Sequence, residues 1–91
     1  MEIVIIHDRN EGRFYAKTES GEAELLYGIR NGIMYIYHTY VPEGEREEGI
    51  AEKLTDAAFD FAIKNGLKVK PACSYVEYYL QKHKEMQKYA V

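Results

Sequence analysis

The chain has a single cysteine among 91 residues, so it closes no internal disulfide, and Cys73 matters through packing, through reactivity or not at all. It has no run of about 18 apolar residues able to span a bilayer, and no charged-then-apolar leader pattern. A cytoplasmic protein with no membrane partner is expected. Basic charge is not in excess: 12 lysines and arginines face 15 aspartates and glutamates, for a net charge of −3. A surface built to neutralise nucleic-acid phosphates therefore has little support, and no nucleic-acid partner is expected. His7, His38 and His83 lack ligand spacing and no cysteine cluster accompanies them, so no metal is expected. Only two residues are proline and seven glycine, while 46% are hydrophobic and 30% charged, the proportions of a folded chain rather than a disordered one. At this length one domain over residues 1–91 is expected, burying about 60–65% of its unfolded surface around a thin core.

What is present reads as strands first and helices later. Ile3–His7 is a β-branched run, and Phe14–Thr18 follows across the polar turn Asp8–Gly12, giving a hairpin. Ala23–Ile29 and Ile33–Val41 flank Asn31-Gly32, a dipeptide suited to the positive φ values of tight hairpin turns. Simple alternation puts Ile33, Tyr35, Tyr37, Thr39 and Val41 on one face of that last strand, and Met34, Ile36, His38 and Tyr40 on the other. Both faces are largely apolar, which predicts a central strand covered on both sides, ended by Pro42. From Gly49 the spacing turns helical, with Ile50, Leu54, Ala57, Ala58, Phe61 and Ala62 in one stripe and Asn65-Gly66 as the stop. Leu67–Ala72 reads as a short strand, then Ser74 as the cap of a helix to about His83, and Lys84–Tyr89 as a last helical turn. The strand–helix–strand unit from Ile33 to Ala72 predicts a right-handed crossover joining parallel neighbours.

Between that strand and helix lies VPEGEREEGIAEK, Val41–Lys53. Within it, Arg46-Glu47-Glu48-Gly49-Ile50-Ala51 fits Arg-x-x-Gly-x-Ala. Glycine lets backbone approach a ligand, Ala51 leaves room in the first helical turn, and the free N–H groups and dipole of a helix start favour an anion such as a pyrophosphate. The glutamates oppose that charge at about 1 kcal/mol per pair in high dielectric, against about 1.5–3 kcal/mol for each oriented N–H bond to a charged acceptor. The competing reading is a solvated acidic turn whose glutamates merely stabilise the helix start.

The hexapeptide, together with HTYVPEGEREEGIAEKL, KNGLKV and PACSYVEYYLQKH, resembles the GNAT superfamily of acetyl-CoA-dependent N-acetyltransferases, and within it a group of short members with a Pro-x-Cys motif. The resemblance implies a compact α/β (α+β) fold, with a mixed, mostly antiparallel sheet of about five strands and helices on its faces. It also implies an acetyl-CoA or coenzyme A site between the Ile33–Val41 and Leu67–Ala72 strands, which splay apart in the superfamily. Backbone of Tyr40 and Val41 would pair with the pantetheine amides. The N–H groups of Glu47, Glu48, Gly49, Ile50 and Ala51, with Arg46 beside them, would hold the pyrophosphate.

The resemblance further implies that Cys73, at the Pro-x-Cys position, lies near the acyl group as a candidate nucleophile. Its thiolate would be favoured by the helix that starts beside it; the alternative is a small packed hydrophobe. His38 matches a His-Thr dipeptide of the subgroup, and its ordinary pKa permits proton transfer near neutrality. A histidine merely packed in the sheet is the alternative. Tyr79 or Tyr78 corresponds to the tyrosine that protonates the departing thiolate in many relatives, although Asn-x-x-Ala-x-x-Phe-Tyr is missing here and tyrosines at this spacing also serve packing. The expected activity is acetyl transfer to an amine acceptor. A non-catalytic CoA-binding or sensing module and a ligand-free interaction scaffold are the alternatives, and a homodimer is a candidate assembly.

Overall fold

The computed structural model describes residues 3–91, the side chains of Arg46, Glu47 and Glu48 excepted. Five strands, β1 (Ile6–Asp8), β2 (Arg13–Thr18), β3 (Gly21–Arg30), β4 (Ile33–Tyr40) and β5 (Lys68–Pro71), form one sheet in chain order. The first four are antiparallel neighbours, and β5 lies parallel to β4. A parallel neighbour requires a crossover, which is α1 (Ile50–Lys64), reached through a 3-10 turn over Glu43–Glu48. After β5 come α2 (Ser74–Lys82) and a second 3-10 segment, Lys84–Tyr89.

Local chemistry sets most boundaries. Asn31 and Gly32 adopt φ of 53° and 77°, the geometry that turns β3 into β4. Gly66, at φ 67°, releases the chain from α1, and Leu67 N–H returns to the Ala62 carbonyl at 2.8 Å. Gly12 is needed for a different reason, since a Cβ there would collide with the Tyr27 carbonyl oxygen, and only glycine lets this turn lie against β3.

One side of the sheet makes the core. Phe14, Ala16, Ala23, Leu25, Tyr27, Met34, Ile36 and Val69 face Ile50, Leu54, Ala58 and Ala62 of α1, and all are buried. Phe59, outside the expected apolar stripe, is fully buried because α2 packs there, its Tyr79 ring stacked on Phe59 at 5.3 Å.

Several expectations are corrected. The first strand begins at Ile6 rather than Ile3, and Val4 is exposed. The residue preceding α2 is Cys73, in extended conformation, so Ser74 is the first helical residue rather than the cap. Most consequential is β4. Leu26 pairs with His38 while the next residue, Tyr27, pairs with Ile36, which leaves Tyr37 as the extra residue of a bulge. Alternation therefore changes phase: Met34 and Ile36 face the core before the bulge, as do Thr39 and Val41 after it. Tyr35, His38 and Tyr40 share the outer face. That face carries no helix among the described residues, and Tyr37 and Tyr40 are 53% and 46% exposed, so β4 is covered on one side only.

Candidate functional site

The bulge and the end of β5 create an opening. The last rung shared by β4 and β5 is Ile36 with Pro71, closed by Ala72 N–H donating to the Ile36 carbonyl at 2.9 Å. Beyond it β4 continues to Tyr40, while the chain after β5 turns into α2. Thr39, rotated to the core side by the bulge, places its Oγ1 3.5 Å from Cys73 Sγ across the gap. A cavity of about 300 Å³ lies above that contact, lined by Thr39, Tyr40, Val41, Ala51 and Tyr75. This is at the lower end of the range for small-molecule sites. A neighbouring hollow of about 250 Å³ is lined by Pro71, Ala72, Cys73, Ser74 and Glu77. Cys73, half-buried, lines the second hollow and meets the first through its contact with Thr39.

The wall opposite β4 is the start of α1. Gly49 is left-handed (φ 70°, ψ 21°), and its carbonyl accepts the first helical bond, from Lys53 N–H at 3.1 Å. Among the described residues, no side chain caps this end. The first-turn N–H groups around Ile50 and Ala51 stand beside the cavity that Ala51 lines. The side chains of Arg46, Glu47 and Glu48, expected near a pyrophosphate, lie outside the described residues.

The remaining expected residues separate into two groups. His38 is on the outer face, its Nε2 3.4 Å from Glu24 Oε2, two positions before Tyr40 on the same side. Glu24 also accepts a bond from Arg13 Nε at 2.9 Å, so it is held in place from the opposite strand. Tyr79 belongs to the α1–α2 contact instead: it is 1% exposed and its hydroxyl donates to Asp56 Oδ1 at 2.5 Å. Burial, then the bond to Asp56, pushes its phenol well above the usual range. Tyr78 is exposed. Tyr75 is the α2 tyrosine that lines the cavity, and burial, reinforced by the negative charge of Glu52, pushes its phenol up to about 12. Sequence reading missed Tyr75 and Thr39. The signal for Tyr75 was present only as helical phase, because residues four apart (75 and 79) share a face and the depth of each depends on what α1 offers.

Among the described residues, no group of three or more His, Cys, Asp or Glu side chains is gathered in a way that could hold a metal, and no helix is long and apolar enough to cross a membrane.

A mixed sheet whose two parallel strands part beside a helix start is the arrangement of an acetyltransferase fold, and sequence comparison agrees. Residues 13–89 match the family described as GCN5-related N-acetyl-transferase, and the chain belongs to that family. It is similar to protein NATD1 of Gallus gallus, at 33% identity over 84 residues, covering 89% of this chain and 76% of that protein. Protein NATD1 of Homo sapiens is also 33% identical over 84 residues, which cover 89% of this chain and 74% of that one. A GCN5-like protein of Staphylococcus aureus, solved by NMR, superposes with a TM-score of 0.78 at 27% identity, over 97% of this chain and 87% of its own.

Proposed function

We propose that the cavity at the end of β4 takes the pantetheine arm and acyl group of acetyl-CoA, and that the chain transfers the acetyl group to an amine. The observation that carries this reading is the conjunction of three features: a β4–β5 ladder that ends at Ile36, a cavity bounded by Thr39–Val41 and Ala51, and an α1 that starts beside it from the left-handed Gly49. Family membership supplies the acyl donor, and the chemistry of the cleft is consistent with it: an apolar-walled slot for a thioester arm, and N–H groups at the helix start for its phosphates.

Bound there, acetyl-CoA supplies an activated acyl carbon and a thiol leaving group. The chain's residues supply the rest. Backbone of Tyr40 and Val41 orients the arm, and the N–H groups of residues 47–51, with Arg46, take the pyrophosphate. The acceptor amine must lose a proton, and we assign that to His38, whose imidazole is held against Glu24. The leaving sulfur must gain one. Tyr75 is better suited to this than Tyr79, because it lines the cavity and keeps its proton throughout the neutral range, whereas the Tyr79 hydroxyl is committed to Asp56.

Cys73, in contact with Thr39 of the cavity wall, either walls the acyl end or carries the acyl group itself. Intact-mass analysis after exposure to acetyl-CoA decides between these: a stable or transient adduct lost in Cys73→Ala assigns the covalent role, and unchanged turnover in that variant assigns the wall. With its one cysteine unpaired, we infer a cytoplasmic setting. Turnover of acetyl-CoA with a panel of amines and peptides tests the proposal; binding without transfer to any of them would replace it with a non-catalytic CoA module.

A further inference from the structure

The turn between β2 and β3 meets the loop that joins β4 to α1. Pro42 packs over Gly21, where a Cβ would stand 3.7 Å from Pro42 Cγ. Gly44 lies so close to the turn that a Cβ on it would come within 2.8 Å of Ser20 Oγ. Next to it, the Ser20 hydroxyl donates to Glu45 Oε1 at 3.3 Å. The turn is itself fixed, because Thr18 Oγ1 donates to the Gly21 carbonyl at 2.6 Å and accepts from Ser20 N–H at 3.2 Å. Ser20 therefore meets the loop from a backbone that is held in place.

Position in the sheet gives this contact its meaning. β3 lies on one side of β4 and β5 on the other. The cavity opens beyond the last β4–β5 rung, whereas the β2–β3 turn stands on the β3 side, so the two flank the end of β4. Glu45, half-buried, is held on the turn's flank at both ends: its N–H donates to the Pro42 carbonyl at 2.9 Å and its carboxylate accepts from Ser20. The segment Glu43–Glu48 holds four glutamates and one arginine, so where each carboxylate is kept decides whether the segment repels a phosphate or admits it. A like charge brought to within a few ångströms of a bound anion at a solvated surface weakens binding by about fivefold.

We propose that the β2–β3 turn is the buttress of the loop that receives the phosphates, and that Ser20 and Gly44 are positioning residues for it. Gly44 leaves room for the Ser20 hydroxyl, and that hydroxyl keeps the Glu45 carboxylate on the β3 flank, off the path of the pyrophosphate. This role rests on the reading of the cavity as an acetyl-CoA site, and it places part of the control of affinity outside the cavity. It acts on the phosphate-bearing half of the ligand alone, so an acyl-pantetheine without phosphates does not sense it.

Titration with acetyl-CoA by calorimetry, and with S-acetylpantetheine by amide NMR, tests it, alongside NMR of the ligand-free proteins. Ser20→Ala is expected to weaken acetyl-CoA binding by about fivefold, less at high salt, and to leave S-acetylpantetheine binding unchanged. Gly44→Ala, whose methyl group displaces the Ser20 hydroxyl, should do the same. The two together should be no weaker than either alone, because both remove one tie. Ser20→Ala combined with Glu45→Gln removes the tie and the charge and should bind acetyl-CoA like the parent, while Glu45→Gln alone keeps an acceptor for Ser20 and should change little. Without ligand, Ser20→Ala should shift the amide signals of Gly44 and Glu45, and circular dichroism melts confirm that each variant is folded. Unmoved Gly44 and Glu45 signals, equal losses for the two ligands, or a Glu45→Gln variant that by itself tightens binding as much as Ser20→Ala weakens it would overturn the role of the turn and leave the cavity reading intact. A parent chain that does not bind acetyl-CoA overturns the cavity reading, and the role of the turn with it.

Discussion

Replacing Gly49 with alanine isolates the contribution of one backbone conformation to the site. Gly49 is left-handed at φ 70°, and a Cβ added there meets nothing within 4 Å, so the substitution introduces strain without a clash. The left-handed region costs an L-residue about 1–2 kcal/mol. Restricting the unfolded chain returns about 0.4–1 kcal/mol. The net loss is about 1 kcal/mol, which for a chain of this size lowers the melting temperature by about 4–8 °C. Relief of the strain rotates the peptide that begins α1 and carries its first N–H groups away from the cavity. Loss of one such bond to a phosphate, worth about 1.5–3 kcal/mol, weakens acetyl-CoA binding by about ten- to a hundredfold. Asparagine tolerates the left-handed region better, so Gly49→Asn should keep most of both properties. Thermal melts and calorimetric titration of the three proteins read the two effects separately. An alanine variant that melts and binds like the parent would refute the role given to this turn.

Other substitutions divide the tyrosines and histidines. Tyr75→Phe is expected to lower the acetyl-transfer rate by about a hundredfold or more while leaving stability nearly unchanged. Tyr79→Phe should do the reverse, costing about 1.5–3 kcal/mol through the lost bond to Asp56 with transfer retained, and swapped outcomes would return the acid role to Tyr79. His7 and His83 should titrate in a fixed order by NMR. Burial and Arg9 hold His7 below its ordinary 6.5, so its contribution to stability is lost as pH falls from about 6.5 through the lower folded value. The hydrogen bond to Glu52 holds His83 above 6.5, so its contribution is complete below 6.5 and lost as pH rises through the raised folded value. Glu52, held below 4.5 chiefly by His83, loses its share as pH falls through its own folded value, so the pair supports α1 against α2 best in mildly acidic solution. A His83 midpoint below that of His7 contradicts this. Reversing Glu47 and Glu48 to lysine should tighten CoA binding in a salt-sensitive manner, and unchanged affinity would make the loop only an acidic turn.

The features legible in the sequence are those set by local chemistry. Asn31-Gly32, Pro42 and Gly66 punctuate the chain where backbone sterics require it, and the periods of β3 and α1 follow from burial on one side. The bulge at Tyr37 was not legible, because an extra residue in one strand is defined only against its partner, and Ile33–Tyr40 alternates evenly when read alone. That single residue determines which side chains meet: it turns Thr39 toward Cys73 and puts His38 with Glu24 on the outer face. Phe59 escaped notice for a related reason, since a second apolar face on α1 has meaning only once α2 is known to cover it. Tyr75 and Tyr79 share a helix face and a residue type, and only the tertiary contact with Asp56 assigns one to packing and the other to the cavity.

Calorimetric titration with acetyl-CoA, read alongside amide NMR shifts, bears most directly on the proposal that this cleft is an acyl-CoA site. Saturable binding at one site per chain is expected, with the largest shifts at Thr39–Val41, Gly49–Ala51 and Tyr75. The absence of heat and of shifts at millimolar ligand, or shifts confined to the outer face of the sheet, would contradict it.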